Sequence, residues 1–146
     1  MRRAKRNSEV SRTAVSILRA DSKVSQVLER ALAAAGLSLP QFNVLMELAA
    51  SPEGALALYE LNSRLISTPP NMSWLSTRME QAGLVTKVRD VVDCRVVNLK
   101  ITDRGWSVLE EAAPLVFAAE KQLLAGYSRA ELCRLANLLD PVIGGV

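Results

Sequence analysis

The stretch GLVTKVRDVVDCRVVNLKITDRG, from Gly83 to Gly105, decides the fold of this chain. Gly83 is placed to end a helix in the left-handed conformation, with Leu84 as the apolar residue that folds back on it. The residues from Leu84 to Arg89 fit one strand. A second, half-buried strand is predicted by the alternation of apolar with polar side chains in Val97, Asn98, Leu99, Lys100 and Ile101.

Between these strands, Asp90 to Cys94 form a short loop whose basic neighbours are Lys87, Arg89 and Arg95. Thr102 is placed to cap the next helix. A two-stranded ribbon with a charged tip directly after a helix is the layout of a winged helix. A basic tip of this kind is suited to reach a nucleic-acid groove.

The composition fits one compact domain. The chain has 146 residues, of which 49% are hydrophobic, enough for a real core. Its net charge of +3 permits nucleic-acid binding without requiring it. No run approaches the roughly 18 apolar residues of a membrane span, and the basic start lacks the apolar stretch of a secretory signal. With only two cysteines, Cys94 and Cys133, we expect a cytoplasmic protein with reduced thiols and no membrane partner.

The chain contains no histidine, which excludes several kinds of catalytic site. Ser-His-Asp and Cys-His arrangements cannot form, and two cysteines cannot make a zinc site within one chain. The seven glycines form neither a dinucleotide-binding fingerprint nor a phosphate-binding loop. We therefore expect no enzyme, no metal and no cofactor.

Helices surround the ribbon on both sides. The first runs from Ser8 to Ala35 and is ended by Gly36, and Ser38 with Gln41 forms a capping box for the next. The first helix carries an apolar stripe at spacings of mostly three and four: Val10, Ala14, Ile17, Val24, Leu28, Ala31 and Ala35. The second helix turns Phe42, Leu45, Met46 and Leu48 or Ala49 inward.

A helix-turn-helix precedes the ribbon. The short helix from Leu58 to Leu65 turns Leu58, Leu61 and Leu65 inward. Thr68 is a good N-cap and Pro69 suits the first helical position, so the next helix spans 70–82. This second helix buries Met72, Leu75 and Met79.

Two further helices follow the ribbon. One runs from Asp103 to Ala125 and turns Trp106, Leu109, Ala113, Val116 and Leu123 to one face, and Pro114 must kink or divide it. Ser128 and Glu131 form a second capping box, and the last helix ends near Pro141. The expected architecture is mainly α (α+β), with about six helices and a two-stranded wing. The apolar faces left at both ends of the chain suggest a homodimer.

The chain resembles the multiple antibiotic resistance regulator (MarR) family of winged-helix transcription factors over nearly its whole length. The resemblance lies in four motifs: L-P-Q-F-x-V-L-x-x-L at 39–48, E-L-x-x-x-L at 60–65, L-x-x-x-M-E-Q-A-G-L-V at 75–85 and D-x-R-V-V-x-L-x-I-T-x-x-G at 93–105. It implies one domain over 1–146, with dimerisation helices at 8–35 and 103–146 and a DNA-binding region at 38–102. It also implies a homodimeric repressor of a pseudo-palindromic operator, released by a small effector that is aromatic or phenolic.

Carried over by position, the resemblance makes the helix at 70–82 the recognition helix. The residues implied to face DNA there are Pro70, Asn71, Ser73, Trp74, Thr77 and Arg78. In the wing, Arg95 is implied to enter the minor groove, and Asp93 can hold its guanidinium by a charge-assisted contact. Phosphate candidates are Lys87, Arg89, Arg78 and Arg64. The resemblance does not identify the residues that bind the effector.

Three points stay open at the level of sequence. Trp74 either contacts DNA as the resemblance implies, or instead packs inside, stacks on a sugar or contacts a ligand. Cys94, which replaces the usual middle arginine of the wing, is either a redox sensor or an incidental thiol. The apolar wing tip around Val91 supports an alternative function, a winged-helix dimer that docks another protein without specific DNA binding.

Overall fold

The computed structural model describes residues 8–66, 69–91, 93 and 95–144. Within these ranges the order of elements is α1 (Ser8–Ala33), α2 (Leu39–Ala49), a 3₁₀ turn (Pro52–Gly54), β1 (Ala55–Ala57), α3 (Leu58–Arg64), α4 (Met72–Gln81), β2 (Val85–Arg89), β3 (Val97–Ile101), α5 (Asp103–Leu123) and α6 (Arg129–Gly144). The predicted class, mainly helical with a winged helix-turn-helix, is confirmed. Among the described residues, none of the helices combines the length and the apolar composition that a membrane span requires.

The sheet has three antiparallel strands in the order β1-β3-β2. The two predicted wing strands pair with Val85 opposite Ile101 and Arg89 opposite Val97. The third strand, β1, pairs Leu56 with Leu99 and was not predicted. Three residues are too few to display an alternation, so this strand has no sequence signature of its own.

The core lies between the end of α1, helices α2 to α5 and the sheet. Its fully buried large side chains come from several elements: Leu32, Val44, Leu45, Leu48, Leu61, Met79, Val85 and Leu99. The predicted inward positions of α3 and α4 are confirmed, since Leu61, Leu65, Met72, Leu75 and Met79 are buried and Leu58 is half-buried against the core. In α2, however, Met46 is 45% exposed and Val44 is buried in its place.

The first helix is buried only near its end. It stops at Ala33, and Gly36 has a φ of 68°, as a left-handed terminating residue requires. Leu32 is fully buried although it lies outside the predicted stripe, whereas Val10 at the start of that stripe is 67% exposed. The reason is that Leu28 and Leu32 reach the core, while the first half of α1 extends past it.

Capping interactions fix the junctions around the wing. At Gly83, with a φ of 72°, the N–H of Leu84 donates to the Met79 carbonyl at 2.9 Å, as predicted for a left-handed helix end. The Thr102 hydroxyl donates to the Gly83 carbonyl at 2.6 Å and accepts from the Gly105 N–H at 3.0 Å. One threonine therefore joins the end of α4 to the start of α5.

The prolines of the last two helices divide neither of them. Helix α5 is continuous through Pro114, so of the two predicted outcomes, a kink or a division, the division was wrong. Helix α6 continues past Pro141 to Gly144, so the predicted end near Pro141 was wrong. Each proline lacks the N–H that would reach the carbonyl four residues earlier. Those carbonyls belong to Glu110 and Asn137, whose residues are exposed, so water can replace the missing donor.

Candidate nucleic-acid interface

Helix α4 begins at Asn71 rather than at the prolines. The Asn71 Oδ1 accepts a hydrogen bond from the Trp74 N–H at 3.0 Å, so Asn71 is the N-cap. Pro69 and Pro70 precede the helix, which corrects the predicted span of 70–82, and the predicted cap, Thr68, lies outside the described residues. An asparagine at this position competes well with a threonine because its carbonyl oxygen reaches the same donors.

The exposed face of α4 carries the predicted contact residues. Pro70, Asn71, Ser73, Trp74 and Arg78 are exposed, and Thr77 is half-buried. Their neighbours on the opposite face, including Ser76, which sequence reasoning missed, are buried. From residue 70 to residue 79 the segment contains no carboxylate, so its outer face is neutral to cationic.

Trp74 and Arg78 form a pair on this face. The Arg78 guanidinium carbon lies 4.9 Å from the centroid of the Trp74 ring, within the range of a cation–π contact. Trp74 is 56% exposed, so the interpretation in which it packs inside was wrong. One turn separates the two residues, which is the spacing at which helical side chains meet.

Lys87 links the wing to α4. Its Nζ donates to the Thr77 Oγ1 at 2.7 Å and lies 3.9 Å from the Glu80 Oε2. The backbone N–H of Lys87 donates to the Glu80 Oε1 at 3.1 Å. Sequence reasoning placed Lys87 correctly on the first wing strand but missed Glu80 entirely.

Backbone hydrogen bonds and two aspartate carboxylates that accept from backbone N–H groups close the wing tip. The Asp90 N–H donates to the Val96 carbonyl at 3.0 Å, and the Asp90 Oδ1 accepts from the Asp93 N–H at 3.0 Å. The Asp93 Oδ1 in turn accepts from the Arg95 N–H at 2.9 Å. Side chains of Asp accepting from the backbone two or three residues on are typical turn interactions, so the spacing of the aspartates could have predicted them.

Asp93 contacts a different group of Arg95 from the one predicted, the backbone N–H instead of the guanidinium. Its carboxylate binds the backbone N–H of Arg95, and in the described residues the ion pair is Lys87 with Glu80 rather than Asp93 with Arg95. Asp93 therefore shapes the turn that carries Arg95. Cys94, for which a redox role was considered, lies outside the described residues.

The remaining cationic candidates are exposed around this surface. Arg89 ends β2, Arg95 follows the tip, and Arg64 is the last residue of α3. Lys87 thus joins α4 to the wing. Arg64, Arg89 and Arg95 are left on the surface, together with Arg78, which packs on Trp74. Such a surface, a capped helix with a neutral face flanked by cations, is suited to a polyanion.

Comparisons with known proteins identify the family. The MarR family model matches residues 37–97. An HTH-type transcriptional repressor of Mycobacterium tuberculosis is 30% identical over 110 residues, which cover 75% of this chain and 78% of that protein. The chain belongs to the MarR family. It is thus a winged-helix transcriptional regulator, as the resemblance of its sequence implied.

Solved MarR structures share the whole fold. A MarR family regulator from Streptomyces coelicolor, solved in complex with DNA, is 25% identical with a TM-score of 0.88, over 99% of this chain and 91% of that one. An organohalide-sensing regulator, solved in its 2,4-dichlorophenol-bound form, is 22% identical with a TM-score of 0.85, over 99% and 87% of the two chains. The match extends beyond the winged helix to the helices at both ends.

Proposed function

We propose that this MarR family protein is a homodimeric repressor that binds a pseudo-palindromic operator and leaves it when a small aromatic or phenolic effector binds. The observation that carries the proposal is the exposed face of α4. It presents Ser73, Trp74 and Arg78 without a carboxylate, beside a wing with exposed arginines. The Streptomyces coelicolor regulator with the same fold was crystallised with DNA.

In this proposal the start of α4 enters the major groove. Pro70, Asn71, Ser73 and Trp74 face base edges, and Arg78 follows along the same surface. Thr77 is half-buried behind this surface, where its hydroxyl accepts from Lys87. Because the Asn71 Oδ1 accepts from the helix, its amide N–H₂ is the group directed to DNA. The N–H groups of the first helical turn add favourable charge for a phosphate.

The wing supplies the second contact. Arg95 enters the minor groove, held by the turn that Asp93 closes, and a cationic guanidinium is favoured where that groove is narrow. Arg89 and Arg64 contact phosphates, which adds affinity and salt dependence without sequence choice. Arg78 is held beside Trp74 and contacts DNA from the recognition helix.

The dimer in this proposal is built from the two ends of a single domain. The segments at 8–35 and 103–146 form the dimer, and the segment at 38–102 binds DNA. Among the described residues of α6 none is buried, and Leu138 is 65% exposed. A groove of about 690 Å³ lies between α1 and α6, with a lining of Thr13, Ser16, Ile17, Ala20, Asp21, Val24, Leu135, Leu138, Leu139 and Val142. A two-fold dimer covering these apolar side chains would present two recognition helices to two operator half-sites.

The effector part of the proposal is supported by one solved structure of the same fold. The organohalide-sensing regulator binds 2,4-dichlorophenol in its crystal structure. A small planar aromatic molecule is the class of effector we propose for this chain. The expected result is that such a molecule lowers operator affinity without dissociating the dimer.

Selection of binding sites from random DNA with the full chain tests the function. The proposal expects enrichment of an inverted repeat and affinity for it that falls steeply as salt rises. The alternative, a winged-helix dimer that docks a protein, is supported by Val91, which is 95% exposed at the wing tip. Equal binding to all sequences, with stoichiometric capture of a protein partner that a Val91→Lys variant no longer binds, would favour that alternative.

A further inference from the structure

We propose that Lys87 is a positioning residue that fixes the wing against the recognition helix, and that it does not contact a phosphate. Together with Thr77 and Glu80 it forms a set of contacts that we call the latch. The inference rests on the proposed DNA binding, and it reassigns one of the cations expected to bind phosphate.

The strand register directs Lys87 towards the helix. Lys87 lies opposite Leu99, and directly opposed residues of an antiparallel pair share one face of the sheet. Leu99 is fully buried, and so is Val85 two residues before Lys87. The Lys87 side chain therefore leaves the strand on the core face, next to α4, and its side chain is only 26% exposed.

The same register leaves the Lys87 backbone N–H without a partner in the sheet. Hydrogen bonds from Asp90 to Val96 and from Thr102 to Leu84 show that even-numbered β2 residues face β3 with their backbone groups. The N–H of Lys87 thus points away from β3, to the open side of β2, which is an edge strand of the sheet. Glu80 of α4 satisfies this edge group with its Oε1 at 3.1 Å.

The Thr77 hydroxyl has its single hydrogen already committed. It donates to the Ser73 carbonyl at 2.8 Å, so towards Lys87 it can only accept. The lysine ammonium is a donor with no acceptor capacity, and its Nζ lies 2.7 Å from the Thr77 Oγ1. The Lys87 ammonium therefore donates and the Thr77 oxygen accepts, while the Thr77 hydroxyl keeps its bond to Ser73.

Glu80 completes the latch by binding both ends of Lys87. One carboxylate oxygen accepts from the backbone N–H, and the other lies 3.9 Å from the ammonium. To reach a phosphate, the Lys87 ammonium would have to break its hydrogen bond to Thr77 and move away from the Glu80 carboxylate. The latch instead fixes the root of the wing to α4, so that the arginines of the wing approach DNA in a set position relative to Trp74. Pre-organisation of this kind raises affinity by reducing the ordering needed on binding.

A double-mutant cycle on operator binding tests the latch. Thr77→Val removes the acceptor without a change of charge, and Lys87→Met removes the ammonium while keeping the stem. We expect each single variant to bind the operator about tenfold more weakly, the scale of one hydrogen bond to a charged group. The double variant should bind no more weakly than either single one, because both remove the same interaction.

The salt dependence separates positioning from phosphate binding. Lys87→Met should leave the slope of log affinity against log salt unchanged. Arg89→Met, the matched removal of a cation on the same strand, should reduce that slope by about 0.9 for each phosphate that is no longer neutralised, or about 1.8 in a dimer. The latch would be overturned if the losses of affinity of the two single variants multiply in the double variant and Lys87→Met reduces the salt slope as much as Arg89→Met does.

Amide hydrogen exchange on the free protein tests the latch without DNA. Glu80→Ala should accelerate exchange of the Lys87 N–H about tenfold or more, while the Val88 N–H, which faces β3, stays protected. Unchanged exchange at Lys87 overturns the latch. If exchange responds as expected but no DNA sequence is preferred, the latch stands and the proposed function fails.

Discussion

The Asn71 side chain and the Trp74 backbone are joined by a 3.0 Å hydrogen bond that starts α4. The bond places the first exposed turn of α4 two residues later than the prolines at 69 and 70 suggest. The two polar groups of the Asn71 amide therefore have different roles. The oxygen caps the helix, and the N–H₂ remains on the exposed side. The residue that begins the helix is therefore also a candidate for DNA contact.

Replacement of this cap should separate stability from binding. Asn71→Ala removes the acceptor for the Trp74 N–H and should lower the free energy of unfolding by about 1 kcal/mol. Asn71→Ser supplies another cap oxygen, so it should stay close to the wild type in stability while losing the amide donors. Chemical denaturation measures the first effect and operator titration the second. Equal stability of the alanine and wild-type proteins would show that the cap is not needed.

Gly105 is predicted to tolerate no side chain. A Cβ there would overlap the Leu84 carbonyl oxygen and approach the Ile101 Cγ1 within 2.7 Å. Because the clash is with backbone, relief requires α5 to move away from the root of the wing. We expect Gly105→Ala to cost about 3 kcal/mol of unfolding free energy or more.

The matched control for this substitution is Gly126→Ala. A Cβ at Gly126 would have nothing within 4 Å, and its backbone is not in the left-handed region. The melting temperature should therefore change little in the control and fall by several degrees in Gly105→Ala. Similar melting temperatures for the two variants would contradict the close approach of α5 to Leu84.

A charge in the groove between α1 and α6 should break the dimer. Leu138 lines that groove and is 65% exposed in one chain, so Leu138→Glu would place a carboxylate against the apolar partner surface. We expect a monomer by analytical ultracentrifugation at concentrations where the wild type is a dimer. Thr86→Glu, on the outer face of the wing, should remain dimeric. A dimeric Leu138→Glu protein would move the interface elsewhere.

The start of α6 should respond to acid through Glu131. Hydrogen bonds from the Ser128 backbone N–H and hydroxyl to its carboxylate hold the pKa of Glu131 below the ordinary value. A lowered folded-state pKa means that the capping box stabilises α6 above the ordinary glutamate pKa. That contribution is lost as the pH falls through the folded-state pKa.

An NMR titration of the Glu131 carboxyl measures this directly. The expected midpoint lies below that of an unstructured glutamate, and Ser128→Ala should return it towards the ordinary value. A midpoint at or above the ordinary value in the wild type would mean that the capping box does not form in solution.

Local sequence signals predicted the wing well because each is short-range. Gly83 ends α4, and Thr102 caps α5, through contacts within a few residues. The alternation of the second strand likewise appears in the buried side chains of Leu99 and Ile101. The family motifs then indicated the order of the elements.

What failed depended on partners distant in sequence or on solvent. The burial of Leu32 follows from where α1 crosses the core, which periodicity alone cannot give. Pro114 looked like a break, but solvent at the exposed Glu110 can satisfy the freed carbonyl. Lys87 looked like a surface cation because its acceptors, Thr77 and Glu80, lie on another element.

In the proposed function, the basic wing and the recognition helix together bind one DNA sequence. The most direct measurement is operator affinity across a salt series for the wild type and Arg95→Ala, with dimerisation checked in parallel. We expect Arg95→Ala to weaken binding by about 1–3 kcal/mol, to reduce the salt slope and to remain a dimer. Unchanged affinity and slope for Arg95→Ala, or a wild type whose binding does not respond to salt, would contradict this claim.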